Sequence, residues 1–264
     1  MKERKGSGIT LFFSIFLLLS GCALMLYPHI NALWMDHAMR RDAEAFLSFV
    51  EIPQEQMQQG DSHVVVRHPE GDTTIAPVIY PELWLDMKVY NEAIFREGQE
   101  NLLNQSSYEA PSFLMSDYGL ESETFGVISI PKLELEMPLF LDASKANMAK
   151  GAAIMGETSL PIGGSNTNCV IAGHRGWNGA AYFLYLNQLE KGDTVTVTNL
   201  WESLTYVVME TRIINPDEVD AIRIQPDREM LTLLTCHPPA SGGKQRGIYP
   251  SQIIFEGGEY NEHP

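Results

Sequence analysis

Three side chains of this 264-residue chain have types and surroundings that suit covalent acyl transfer. Cys236 ends a threonine-rich apolar run, His174 lies upstream between Gly173 and Arg175, and Arg246 lies downstream of the cysteine. A cysteine attacks a carbonyl carbon as the thiolate, so it needs a basic neighbour, and histidine is the usual one. The oxyanion that forms needs a fixed donor, and a guanidinium supplies several N–H groups at any physiological pH. The three residues are therefore a candidate nucleophile, base and oxyanion donor.

Taken singly, each of these residues has an ordinary structural explanation. A free cysteine at the end of an apolar strand is usually a small buried hydrophobe. A histidine flanked by glycine is often a turn residue, and an arginine after a glycine-rich loop is usually a solvated charge. The functional interpretation depends on the three residues together and on the motifs around them.

The motifs around these residues resemble those of the sortases, which are transpeptidases of Gram-positive cell surfaces. The TLxTC motif of that family is matched by residues 232–236, its GHR motif by residues 173–175, and its arginine by Arg246. Three further segments are similar to the class C branch, which builds pili: Gly126-Val127-Ile128-Ser129-Ile130-Pro131-Lys132, Thr158-Ser159-Leu160-Pro161-Ile162-Gly163-Gly164 and Leu189-Glu190-Lys191-Gly192-Asp193. The matches run in family order across residues 125–257, about half of the chain.

The resemblance implies an all-β core, a closed sortase-type barrel with short helices, and an enzyme that cleaves an LPXTG-like sorting signal through a Cys236 thioester. It implies that His174 acts as acid and base, that Arg246 holds the oxyanion or the substrate backbone, and that Thr235 contacts the substrate. In a class C enzyme the acceptor is a pilin lysine, so the implied partners are pilin subunits or other LPXTG-type surface proteins.

Three other functions are compatible with the same residues. A wall-anchoring sortase would use a peptidoglycan-precursor amine as the acceptor. A hydrolytic cysteine protease would release its substrate to water and gain nothing from an added amine. A noncatalytic barrel that binds sorting signals would keep its function when Cys236 is replaced by alanine.

Two segments depart from the class C pattern. The family covers its active site with a lid that carries an Asp-Pro-aromatic motif, whereas here the nearest segment holds Pro111 and Phe113 with no aspartate before the proline. Phe113 is therefore predicted to cover Cys236 without an aspartate to pair with the arginine. The loop between Cys236 and Arg246 is also a residue longer than the family pattern, which predicts altered substrate recognition.

Strand geometry separates two other residues from the site. Because side chains along a strand alternate between faces, His237 should point away from its neighbour Cys236. Cys169 lies five residues before His174, an odd separation, so the two should also face opposite sides. Cys169 is therefore predicted to be a core residue. A β-bulge, or an early end to either strand, would change both predictions.

The N-terminus is predicted to anchor the chain in a membrane. Lys2, Arg4 and Lys5 precede an apolar stretch from Ile9 to Leu26, which as a helix is long enough to cross a hydrocarbon core of roughly 30 Å. The basic flank should stay in the cytoplasm, so the rest of the chain should lie outside the cell. An alternative is a lipobox, Leu19-Ser20-Gly21-Cys22, in which Cys22 would be lipidated and the preceding residues removed. The apolar residues after Cys22 favour the signal anchor.

The predicted organisation has five parts. They are a cytoplasmic tail (1–8), a transmembrane anchor (9–27), an extracellular, mainly helical spacer (28–120) with the candidate lid near 108–118, the catalytic barrel (121–258) and a tail (259–264). The spacer is predicted to contain helices over 32–51 and 82–103, and between them a hairpin formed by 64–67 and 74–80. Short β-prone runs then alternate with turns and favour a sandwich or barrel: 127–130, 169–172, 194–198, 205–211, 230–235 and 253–255.

Charge and composition exclude several classes of partner. The formal net charge of −16 argues against nucleic acid or anionic lipid as a ligand of the folded domain. Three cysteines in an exported protein form no disulfide framework, because pairing Cys169 with Cys236 would remove the proposed nucleophile. The histidines and cysteines show no paired ligand spacing, so neither a metal nor another cofactor is predicted.

Overall fold

The structure is a computed structural model that describes residues 7–50, 63–67, 73–77, 79–103, 109, 112–215, 218–237 and 249–257. It contains one long N-terminal helix, a small hairpin, a second helix and a barrel whose strands lie between Thr124 and Gly257. The sequence-based prediction of an all-β barrel preceded by helices is confirmed.

Helix α1 (Ser7–Val50) has 44 residues and two parts of different character. At 1.5 Å per residue it is about 66 Å long, twice the hydrocarbon thickness of a bilayer. Its first part is apolar and solvent-exposed, and it is long and apolar enough to cross a membrane. Its last part buries Met39, Ala43 and Phe46 against the barrel. The predicted anchor and the predicted helix over 32–51 are thus one continuous helix.

A hairpin and a second helix follow α1. Strands β1 (His63–Arg67) and β2 (Thr73–Pro77) pair antiparallel, which confirms the predicted hairpin. Helix α2 (Pro81–Glu97) ends at Gly98, whose φ of 80° is the left-handed conformation typical of a helix C-cap.

The prediction of one helix over 82–103 was therefore wrong at its C-terminal end. The chain turns at Gly98 and continues as a separate 3-10 turn over Glu100–Leu103. Helix α2 packs on the barrel through Leu83, Met87 and Ile94. Leu85 is mostly exposed, because it lies on the outer face of the helix.

Eight strands close the barrel in the order β10-β12-β11-β6-β5-β4-β3-β9. Their bounds are β3 (Thr124–Ile130), β4 (Leu135–Phe140), β5 (Ala152–Ile154), β6 (Thr167–Ala172), β9 (Thr194–Thr198), β10 (Ser203–Ile213), β11 (Glu229–His237) and β12 (Tyr249–Gly257). The six predicted runs all lie in these strands, while β4 and β5 were not predicted. A further short hairpin, β7 (Arg175–Trp177) and β8 (Ala180–Tyr182), leaves the barrel after β6. The four-residue helix α3 (Lys145–Met148) lies between β4 and β5.

Alternation of side chains accounts for the barrel core. In β9, Val195 and Val197 are buried, and the threonines between and beside them face outward. Two of those threonines form hydroxyl pairs with the next strand, Thr196 with Thr205 at 3.1 Å and Thr198 with Ser203 at 2.9 Å. Cys169 is buried in the same core, as predicted from its position in the strand.

Candidate active site

The central feature of the site is a parallel pair of strands that ends beside both candidate catalytic residues. Strand β6 runs parallel to β11, with Ala172 opposite Leu234. The ladder continues past the end of β6, because the Gly173 amide donates to the Leu234 carbonyl oxygen over 3.1 Å. The paired segment therefore ends close to both candidates, two residues before His174 on one strand and two residues before Cys236 on the other. Backbone pairing thus brings together the two segments that carry these residues, which are 62 positions apart in sequence.

Thr235 secures this junction from inside the protein. Its buried hydroxyl donates to the Gly173 carbonyl oxygen over 2.9 Å. Gly173 itself has no room for a side chain, since a Cβ atom there would lie 2.4 Å from the Phe183 ring. The site therefore uses Thr235 to hold the residue that precedes His174. A contact between Thr235 and substrate, as the sequence resemblance implied, stays a prediction.

The His174 ring lies between two aromatic side chains. The Trp177 ring is stacked on it, with centroids 4.5 Å apart and planes inclined by 13°. The Tyr182 ring meets it edge-on at 5.8 Å, and the Tyr182 hydroxyl donates to the Ala149 carbonyl oxygen over 2.7 Å. Burial raises the pKa of Tyr182 to about 12, so this phenol stays protonated. Both aromatic residues belong to the β7–β8 hairpin, which the sequence analysis did not identify.

Arg175 ties the histidine segment to the cysteine strand. Its buried guanidinium donates from Nη1 to the Cys236 carbonyl oxygen over 3.1 Å and from Nη2 to Asn187 Oδ1 over 3.1 Å. Burial lowers the pKa of Arg175 below its usual value, yet a guanidinium stays charged at neutral pH. Arg175 is the last residue of the GHR motif, for which the sequence predicted no role, and its bond to the Cys236 carbonyl makes this cation a further member of the site.

Burial affects the protonation of both candidate catalytic groups. It raises the pKa of the half-buried Cys236 thiol, and the Arg175 charge opposes that rise in part. Burial lowers the pKa of His174. At neutral pH these shifts favour a neutral Cys236 thiol and a neutral His174 imidazole. A neutral imidazole is the form that can accept a proton.

The described part of the barrel carries a cleft of about 330 Å³. Asn147 and Lys150 line it, and between them lies Ala149, whose carbonyl oxygen binds Tyr182. Phe113 also lines the cleft and packs on Tyr90, with ring centroids 5.7 Å apart. Tyr182 therefore contacts both the His174 ring and a residue that lies between two lining residues of the cleft.

The structure describes only some of the remaining predicted site residues. Arg246 and Pro111 lie outside the described residues, and so does the side chain of His237. Strand β11 does continue through both Cys236 and His237, which is the condition that the alternation argument required. Phe113 packs against Tyr90 and Tyr118 rather than standing alone, and its role as a lid stays a prediction. All three cysteines are free.

Comparison with known proteins shows which family the barrel is similar to. The family model described as the sortase domain matches residues 128–253, a stretch that contains His174, Arg175, Cys236 and Arg246. The chain carries a sortase domain. It is 29% identical over 113 residues to sortase D of Bacillus subtilis, which covers 43% of this chain and 54% of that protein. It is 32% identical over 118 residues to sortase A of Streptococcus agalactiae, covering 43% and 47% respectively. The chain thus spans about half the length of the curated relatives it matches.

Solved sortase structures match a larger part of the chain. Sortase C-1 from Actinomyces oris covers 68% of this chain and 98% of its own, with 26% identity and a TM-score of 0.55. A pilus-related sortase C of Group B Streptococcus covers 70% and 96%, with 26% identity and a TM-score of 0.54. The sortase fold of this chain is therefore similar to that of class C sortases, as the sequence motifs indicated.

Proposed function

We propose that this chain is a membrane-anchored cysteine transpeptidase that cleaves an LPXTG-like sorting signal and transfers the cleaved protein to an amine. The observation that carries the proposal is the parallel pairing of β6 with β11, which ends two residues before His174 and Cys236 and is secured by the Thr235 bond to Gly173. A thiol beside an imidazole, within a sortase domain, suits acyl transfer.

The first half of the reaction forms a thioester. The Cys236 sulfur attacks the carbonyl carbon of the Thr–Gly bond while His174 accepts the thiol proton. Arg246, by resemblance, stabilises the oxyanion. The C–N bond then breaks, His174 returns the proton to the departing glycine amine, and the substrate's threonine remains bonded to Cys236 as a thioester.

The second half transfers the acyl group to an amine. The incoming amine attacks the thioester carbon and loses a proton to His174, and Cys236 leaves as a thiolate that His174 protonates. The neutral imidazole favoured by burial suits this role, because it accepts a proton at each attack. Water in place of the amine would give hydrolysis.

We assign the acceptor amine to a pilin lysine, so that the product is an isopeptide-linked pilus polymer. The support is the similarity to a pilus-related sortase C of Group B Streptococcus and the class C motifs of the sequence. LPXTG-type surface proteins or pilin subunits are then the partners.

The apolar first part of α1 serves as the single-pass anchor in this proposal. The basic residues before it stay in the cytoplasm, and the barrel works at the outer cell surface.

The test is to follow an LPXTG-type peptide with the full-length chain in phospholipid nanodiscs, with and without amine acceptors. We expect Cys236-dependent cleavage and a cross-linked product with a pilin lysine peptide, faster than with a wall-precursor amine. Preference for the wall-precursor amine would reassign the enzyme to wall anchoring, and cleavage unaffected by any amine would make it a hydrolase. Cys169→Ala is the matched control, since that thiol is buried in the core.

A further inference from the structure

The membrane-proximal part of α1 touches the turn of the β7–β8 hairpin. The turn residues Asn178 and Gly179 have φ values of 48° and 90°, as in the two-residue turns typical of tight hairpins. Asn31 Nδ2 of the helix donates to the Asn178 carbonyl oxygen over 2.9 Å. A Cβ atom on Gly179 would lie 2.9 Å from both the Pro28 carbonyl oxygen and the Ala32 Cβ atom. Helix and turn are therefore in direct van der Waals contact.

The same hairpin forms the wall of the active site. Trp177, next to the turn, stacks on the His174 ring, and the Phe183 amide after β8 donates to the His174 carbonyl oxygen over 2.9 Å. Each strand of the hairpin has three residues. An isolated hairpin of this size is marginally stable, so its position depends on what it packs against. Here it packs between α1 and His174.

Helix α1 is also fixed to the barrel by residues that lie C-terminal to this contact. Arg40 Nη2 donates to the Glu134 carbonyl oxygen over 3.3 Å, and Ala43 and Phe46 are buried in the core. The apolar stretch of the sequence ends at Leu26. Pro28 follows two residues later, which is about 3 Å further along the helix axis. The hairpin turn therefore lies where α1 leaves the proposed membrane span.

We propose that the anchor helix is a positioning element of the active site. Asn31 and Gly179 dock the helix on the hairpin turn, and the docked hairpin holds Trp177 against His174 close to the outer membrane surface. The inference rests on the proposed catalytic role of His174, and it assigns to α1 a second task besides anchoring. Asn31 and Gly179 act through Trp177 and do not contact the reacting atoms.

A pair of glycine substitutions in the full-length chain in nanodiscs tests the proposal. Gly179→Ala places a methyl group against Pro28 and Ala32, whereas Gly192→Ala, at a similar φ of 98°, meets nothing within 4 Å. The two variants share the backbone strain of a left-handed residue and differ in the helix contact. We expect Gly179→Ala to lower kcat about 10- to 100-fold, the effect of misplacing a catalytic group by about 1 Å, with KM little changed. Gly192→Ala should stay within about twofold of wild type, and Asn31→Ala should show a smaller loss than Gly179→Ala.

A titration of His174 by NMR supplies a readout that does not need activity. Burial lowers the His174 pKa, so a loosened hairpin that hydrates the ring should raise the His174 pKa towards its ordinary value in Gly179→Ala and Asn31→Ala. His174→Gln identifies the resonance among the seven histidines. Equal kcat values and equal His174 titrations in Gly179→Ala and Gly192→Ala would overturn the proposal. If Gly179→Ala fails to fold, Asn31→Ala provides the test. A His174 pKa in Asn31→Ala equal to that of the wild type would also overturn the proposal. A wild-type chain that forms no Cys236 thioester would refute the proposed function, while the titration still tests the docking.

Discussion

Replacing Arg175 by methionine should weaken the junction between the histidine segment and the cysteine strand. Methionine keeps most of the apolar stem and removes the donors that bind the Cys236 carbonyl oxygen and Asn187. It also removes the positive charge that opposes the burial-induced rise in the Cys236 pKa. We therefore expect two separate effects, a loss of stability and an upward shift in the pH at which the thiol becomes reactive.

The stability loss can be bounded from the two hydrogen bonds. A hydrogen bond from a charged donor contributes about 1.5–3 kcal/mol. The lower figure applies here, because removing a buried charge also returns part of its desolvation cost. Losing both bonds should therefore lower the free energy of unfolding by about 3 kcal/mol. For a domain of this size, that loss lowers Tm by about 6–12 °C.

The assay measures thermal unfolding and the pH dependence of Cys236 alkylation, read by peptide mass spectrometry so that Cys22 does not contribute. Arg96→Met is the matched control, because it removes the same charge from a side chain that is 76% exposed. We expect Arg175→Met to unfold at lower temperature than the control and to react only at higher pH. If both variants unfold at the same temperature and show the same alkylation profile, Arg175 does not act on Cys236 as described.

Two further predictions concern the same junction. Thr235→Val leaves the Gly173 carbonyl oxygen without its donor and should lower the free energy of unfolding, measured with denaturant, by about 1–3 kcal/mol. Thr235→Ser keeps the hydroxyl and should lower it by less. Equal losses in the two variants would show that this hydrogen bond does not stabilise the fold. Because burial lowers the His174 pKa, the unfolded chain binds a proton that the folded chain does not, so the unfolding free energy should fall as pH drops below about 6.5. His174→Gln should flatten this fall, and an unchanged slope would contradict the burial of the ring.

The barrel could be predicted from sequence where a strand has one buried face. Strand β9 was predicted with its observed bounds, because threonine and valine alternate through it. Strand β4 was missed because Glu136 and Pro138 interrupt its pattern, and β5 because three small or aliphatic residues, all buried, show no alternation. The β7–β8 hairpin had a usable signal, the Asn178-Gly179 pair, which is typical of a two-residue hairpin turn.

The candidate site was predicted less evenly than the fold. Cys236 and His174 could be found from their motifs, but the contact of Arg175 with the Cys236 carbonyl joins residues 61 positions apart and depends on two strands meeting. The GHR motif singles out Arg175 but does not indicate which group its guanidinium binds. The stacking of Trp177 on His174 likewise needs the hairpin to fold back, so it follows from the structure and not from the motif.

The most direct test of the account is the intact mass of the full-length chain after incubation with an LPXTG-type peptide and no amine. We predict a covalent adduct of the threonine-terminated fragment on Cys236, present in wild type and Cys169→Ala, absent in Cys236→Ala, and discharged when a lysine amine is added. An adduct that persists in Cys236→Ala, or cleavage of the peptide by Cys236→Ala at the wild-type rate, would contradict the central claim that Cys236 is the nucleophile.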